Sequence, residues 1–163
     1  MFAGFTAFTW LHTILSLIAI MTGFVVVRDL FASRVSPAWT GIYIATAVLT
    51  SATGFGFTTP FGPSHVVGII SLALLAGSML ALYAFHLAGP WRWIYAVTQT
   101  LAQFFLLFVL VAQAFKKVPA LATLAPTQSE PPFAASEGVV LAIFLALAIG
   151  AAMRFRPANA GAG

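Results

Sequence analysis

Residues 93–115 read WIYAVTQTLAQFFLLFVLVAQAF, 23 positions without a single charge, held between Arg92 and the pair Lys116 and Lys117. About twenty helical residues cross roughly 30 Å of hydrocarbon, so this block can span a bilayer as one helix. A membrane strand would alternate polar and apolar side chains over about ten positions. The run FFLLFVLV is apolar at every consecutive position, which excludes that alternative. A helix also satisfies its own backbone hydrogen bonds, which lipid cannot do for it.

Blocks of the same character recur at 5–27, 39–57, 66–85 and 138–153, and together with 93–115 they predict about five transmembrane helices. The connections are RDLFASRVSP, TTPFGPS, HLAGPWR and the longer KKVPALATLAPTQSEPPFAASE, in which Pro and Gly supply the breaks. The fold class read from this pattern is all-α: an integral membrane helical bundle forming a single domain over 1–157, with a frayed tail at 158–163. Composition agrees, since charged residues make up 6% of the chain and hydrophobic ones 61%, far from the balance of soluble domains. The start, MFAGFTAFTWLH, lacks the basic region and cleavage site of a signal peptide, so the first block is expected to stay as an anchor.

The same composition narrows function. The net charge of +4 comes from basic residues scattered at block ends, with no stripe to follow a phosphate backbone, so no nucleic-acid partner is expected. With no cysteine, disulfides and thiolate chemistry are excluded. The acids Asp29, Glu130 and Glu137 lie outside the predicted spans and form no catalytic pair, and no GxxxxGK motif occurs, so the reading leans away from an enzyme. No internal repeat aligns one half of the chain on the other, and five spans do not divide into inverted halves as in many transporters.

Arg28, Arg34, Arg92, Arg154 and Arg156 fall on one side of the bundle and only Lys116 and Lys117 on the other. The excess of basic residues on cytoplasmic loops then predicts an extracytoplasmic N-terminus and a cytoplasmic C-terminus in a bacterial inner membrane. Trp10, Trp39, Tyr43, Trp91, Trp93 and Tyr95 cluster near span ends, where amphipathic rings favour the headgroup level.

In lipid, helices associate through small and polar residues rather than through Leu. Helix one carries Thr9, His12, Ser16, Ala19 and Gly23 on one side, and helix two Tyr43, Ala47, Thr50 and Gly54. Ala73, Gly77 and Ala81 on the third, and Ala142, Ala146 and Gly150 on the last, form further small rows suited to packing within or between subunits. On the fourth helix, Gln99, Gln103 and Gln113 fall on nearly one face, and Gln103 requires a partner: Ser, Thr or His of another helix, or a bound molecule.

His12, Ser16, Gln99 and Gln103 are therefore the candidate ligand-binding set. His12 and His65 are the two histidines nearest to matched depth for haem, with interhelical hydrogen bonding as the plainer role for His12. His86 sits at the opposite end. The connection APTQSEPPF is a candidate partner-docking loop, with Glu130 facing water or Lys116 and Lys117, and Phe133 resting on the mouth of the bundle.

The runs HTILSLIAIMTGFVV, WTGIYIATAVLTSATGF, VVGIISL, FHLAGPWRWIY and KVPALATLAPTQSEPPF, covering most of the chain, resemble a group of uncharacterised small multi-pass inner-membrane proteins of proteobacteria. The resemblance implies a location and a topology, and it carries no active site. The expected function is a non-enzymatic membrane protein that binds a partner protein, a lipid or a hydrophobic small molecule, with the bilayer and a membrane protein or a second copy as its surroundings. That reading needs no resident cofactor. The rivals are a redox protein holding haem on His12 and His65 or a quinone on His12 and Gln103, and a small-solute channel or transporter lined by Thr9, His12, Ser16, Gln99 and Gln103.

Overall fold

A computed structural model describes residues 6–57 and 61–158. The start of the first predicted span, residues 58–60 of the TTPFGPS connection and the tail from 159 onward lie outside the described residues. The described residues form six α-helices in order: α1 (Ala7–Phe31), α2 (Pro37–Gly54), α3 (Pro63–Met79), α4 (Trp91–Lys117), the short α5 (Pro119–Leu124) and α6 (Pro131–Arg154). No strand occurs among the described residues, and the fold is the helical bundle that the apolar blocks predict.

The prolines start helices more often than they break them. Pro37, Pro63, Pro119 and Pro131 each occupy the first turn of a helix, where the missing N–H has no intrahelical partner to lose and the fixed φ suits helical geometry. The consequence is largest at α6, which begins at Pro131 rather than at 138 and takes Glu137 into a helix. Thr6 caps α1, its Oγ1 accepting from the Thr9 N–H at 3.2 Å.

Long α-helices run alternately up and down, so one end of the bundle gathers the C-termini of α1, α3 and α6 with the N-termini of α2 and α4. That end carries all five arginines, and Lys116 and Lys117 sit at the other. The central helix is α4, which packs against α1, α3, α5 and α6, while α1 and α2 form the closest pair beside it.

α1, α4, α6 and α3 with its continuation to Ala84 are long and apolar enough to cross a membrane; α2 is not counted with them. With 18 residues, five of them Thr40, Thr46, Thr50, Ser51 and Thr53, α2 is the short and polar member. The exterior is oily: Met21 at 68% exposure, Ile149 at 62% and Met153 at 69% face outward, while Gln99, Thr100, Gln103 and Ser78 have no accessible surface. Apolar side chains outside and amides inside are the arrangement a hydrocarbon solvent selects.

On α1 the inward face is the expected one, and on α2 Tyr43, Ala47 and Thr50 are buried. On α3 the buried row is Ser71, Leu75 and Ser78, while of the expected small row Ala73 is exposed, Gly77 half-buried and Ala81 wholly buried; on α6 the buried row is Glu137, Phe144, Ala148 and Ala151, with Ala142 and Ala146 exposed and Gly150 half-buried. Both helices carry two rows of small residues, and side-chain size alone does not say which row turns inward. Gln113 is exposed as well, because at 3.6 residues per turn it lies about 80° around the helix from Gln103.

The arginine end is tied by hydrogen bonds. Asp29, 2% exposed, accepts from Arg34 Nε at 2.8 Å and from the Ser36 hydroxyl at 2.6 Å, and Arg34 Nη2 lies 2.6 Å from the same carboxylate, closing the α1–α2 turn. Ser33, at φ +53°, donates to the Arg154 carbonyl at 2.8 Å and accepts from the Arg156 N–H at 3.0 Å, fastening the end of α6 to that turn. Arg92 donates to the Phe155 carbonyl, and Phe155 itself is wholly buried against Tyr95.

Candidate functional site

Between α1, α2 and α4 runs a ladder of buried polar groups. Tyr95, Gln99 and Gln103 repeat every four residues along α4 and so stack on one face. Thr40 of α2 is hydrogen-bonded to the Tyr95 hydroxyl, and Gln99 Nε2 donates to that hydroxyl at 3.3 Å. Gln103 Nε2 donates to the Ile20 carbonyl of α1 at 2.9 Å, so its partner is backbone rather than the side chain the sequence suggests. The approach requires Gly23: a Cβ there would lie 1.9 Å from Gln103 Oε1 and 2.7 Å from the Tyr43 ring. The amide oxygens of Gln99 and Gln103 and the Thr50 hydroxyl have no hydrogen-bond partner among the described residues.

His12 lies elsewhere on α1. Its Nδ1 is 2.8 Å from Thr53 Oγ1, and because that hydroxyl already donates to the Leu49 carbonyl, the histidine nitrogen is the donor. Its ring meets Phe57 edge-on at 4.9 Å. Ile20, which holds Gln103, is eight residues further along α1, or about 12 Å at 1.5 Å per residue, so His12 and Gln103 do not share one site. Ser16 donates to the His12 carbonyl on its own helix.

His65 is buried at the start of α3, where its Nδ1 accepts from the Gly62 N–H at 3.0 Å and its ring stacks on Phe61. With Nδ1 accepting, the neutral ring carries its proton on Nε2, the nitrogen an iron would need. Both histidines thus sit at the lysine end, each in a local contact, and no cluster of three metal-ligating side chains occurs among the described residues.

The loop before α6 is self-contained. Glu130 accepts from the Thr127 N–H at 3.1 Å, the Thr127 hydroxyl at 2.9 Å and the Ser129 N–H at 3.1 Å. Desolvation pushes this carboxyl up, but the hydrogen bonds from Thr127 and Ser129 together outweigh it and hold the group below its usual range. Gln128, at φ +58°, donates to the Ala112 carbonyl at 2.6 Å and pins the loop to α4, while Phe133 meets Phe115 at 5.5 Å.

A cleft of about 170 Å³ opens at the arginine end among Val35, Pro37, Thr40, Leu82, Tyr83 and His86. Its far wall is irregular. The end of α3 passes into a π-helical turn over Leu80–Ala84, and His86 and Leu87 follow at φ +47° and +60°. The left-handed region costs a side chain roughly 1–2 kcal/mol per residue, and here the burial of Leu87 against Ala81 and Tyr95 opposes it. Insertions of this kind recur at functional sites, and this one sets Tyr83 and His86 across from Thr40. Sequence reading placed His86 at this end but missed the cleft, since the signal is a helix irregularity that FHLAG spells only through its glycine.

Comparison with known protein families, curated proteins and solved structures yields no match. The class is therefore the one the fold itself defines, an all-helical bundle whose long apolar helices suit a membrane.

Proposed function

We propose that the protein crosses a bacterial inner membrane several times, arginine end toward the cytoplasm, and binds an amphipathic hydrophobic molecule by its polar head. The cleft at Thr40 is the observation that carries this reading. Ligand sites for whole small molecules enclose about 300–1,000 Å³. At about 170 Å³ the cleft fits a headgroup or a single ring, and an attached tail would lie along the oily exterior. Val35, Pro37 and Leu82 give apolar walls, while Tyr83 and His86 bring polar groups opposite Thr40, at the level where a headgroup sits. Behind Thr40, the Tyr95 hydroxyl bonds it and is itself bonded by Gln99, so that wall is held in place, which lowers the ordering cost of binding.

The test is purification from the native membrane in mild detergent, followed by an absorption spectrum and mass spectrometry of the extract. The expected result is one amphipathic compound in fixed ratio to the wild-type chain, depleted in Thr40→Val and His86→Ala variants that still elute as folded protein. Bulk lipid in equal proportions across all three would overturn the reading. A Soret band retained in both variants would favour the haem alternative on His12 and His65.

A further inference from the structure

Glu137 is the acid that the early start of α6 moves from a connection into a helix. It lies six residues past Pro131, or about 9 Å into α6 at 1.5 Å per residue. The residue is only 8% exposed, and neither carboxyl oxygen has a hydrogen-bond partner among the described residues. Two aromatic pairs fix how α6 runs against α4: Phe133 with Phe115 at 5.5 Å and Phe144 with Phe104 at 6.1 Å. Glu137 falls between them, about one turn from the first and two from the second.

The charged groups that could answer it are few. α4 carries none between Arg92 and Lys116; Lys116 and Lys117 follow Phe115 at the same end of the bundle, yet the Glu137 oxygens take no hydrogen bond from either, and Glu130 is occupied by Thr127 and Ser129. α1 meets α6 near Gly150, where Phe31 and Arg154 pack together at the arginine end. An ionised carboxylate in a seam of phenylalanines would lose its hydration with nothing to replace it, and such groups neutralise instead.

We propose that Glu137 is a proton-binding site, a carboxylic acid that holds its proton in the α4–α6 seam at neutral pH. It is independent of the Thr40 cleft, which opens at the other end of the bundle. An ionisable residue within a membrane helix is by default a candidate functional site, and the chemistry open to a lone acid with two unpartnered oxygens is to take up and release one proton. Next to it, the space off Gly138 is empty, so a small lipid-soluble reagent has an approach from the membrane side.

Such an acid reacts with a hydrophobic carbodiimide. The carboxyl proton passes to a carbodiimide nitrogen while a carboxyl oxygen bonds to the central carbon. The O-acylisourea that results rearranges to a stable N-acylurea, so the whole reagent is added and nothing leaves. The experiment combines dicyclohexylcarbodiimide labelling of the intact protein in lipid, mapped by mass spectrometry, with the infrared carbonyl stretch of protonated carboxyls. The expected outcome is an adduct on Glu137, formed on the order of tenfold or more faster than on Glu130 and slowing as pH rises. A protonated-carboxyl band should be present in the wild type and absent from Glu137→Gln and Glu137→Leu; the leucine variant keeps the seam filled and folded. No band in the wild type, a band that survives both substitutions, or labelling confined to Glu130 and Asp29 would overturn the assignment.

Discussion

Replacing Gly23 by Ala tests the contact on which the α1–α4 interface turns. The added Cβ would sit 1.9 Å from Gln103 Oε1, 2.4 Å from its Cδ and 2.7 Å from the Tyr43 ring, all far inside contact distance. The amide is the flexible partner, so it must swing away and release the Ile20 carbonyl. Overpacking costs about 1–3 kcal/mol. An interhelical hydrogen bond in a membrane contributes about 0.6 kcal/mol on average and at most about 1.7. Alanine's better helix propensity returns up to about 1 kcal/mol, leaving a net loss of about 1–3 kcal/mol. A double-mutant cycle with Gln103→Ala, read by unfolding in mixed detergent micelles, separates the terms. In the Gln103→Ala background the same glycine substitution should cost much less, because only the Tyr43 edge remains to be displaced. Equal costs in both backgrounds would refute the geometry.

Three further substitutions or titrations probe the ends of the bundle. Ser33→Ala removes both bonds to the end of α6 and should cost about 1–2 kcal/mol, with faster protease cleavage at Arg154 and Arg156 as the local readout. Asp29→Asn should cost about 1–3 kcal/mol in thermal unfolding, the loss of charge-assisted bonds from Ser36 and Arg34; Arg34 is 53% exposed, so screening keeps its share small. Because the folded loop holds the Glu130 carboxyl below its usual range, its contribution is present above the unfolded value and disappears as pH falls through the folded one. Amide-exchange protection at Thr127 and Ser129 should fade over that acidic window, and Glu130→Gln should weaken it at neutral pH.

The bundle was legible in the sequence because hydrocarbon leaves a chain few choices: apolar runs of spanning length can only be helices, and the inward faces of α1 and α2 followed from Gly23, Ala47 and Thr50 at helical spacing. Helix starts were misread where proline was taken as a break, and that single error hid Glu137, whose role depends on seven residues of extra helix. The small rows on α3 and α6 are turned inward only in part, Ala81 being wholly buried while Ala73, Ala142 and Ala146 face outward. Leu and Ala are equally at home in lipid and in the seam, so the face turned inward is decided by the partner's shape, such as Phe104 meeting Phe144, and not by polarity. For Gln103 the need for a partner was readable, but a glycine and a backbone carbonyl on another helix leave no mark as a matched pair of side chains.

The two ends of the molecule are held by different forces, and this separates the two sites. At the arginine end, Asp29, Ser33 and Arg92 bind chain segments by directional bonds, and the α1–α2 turn that forms one wall of the cleft beside Thr40 is fastened by them. At the lysine end, α6 meets α4 through the Phe133 and Phe115 pair and the short loop that Gln128 pins, with Phe144 and Phe104 meeting further along the seam. A change in charge at Glu137 would therefore act on the seam between α6 and α4, while Ser33 holds the other end of α6. Substitutions at Thr40 should leave carbodiimide reactivity at Glu137 unchanged, and Glu137→Leu should leave ligand retention at the cleft unchanged. Coupling between them in either direction would refute the independence of the two sites.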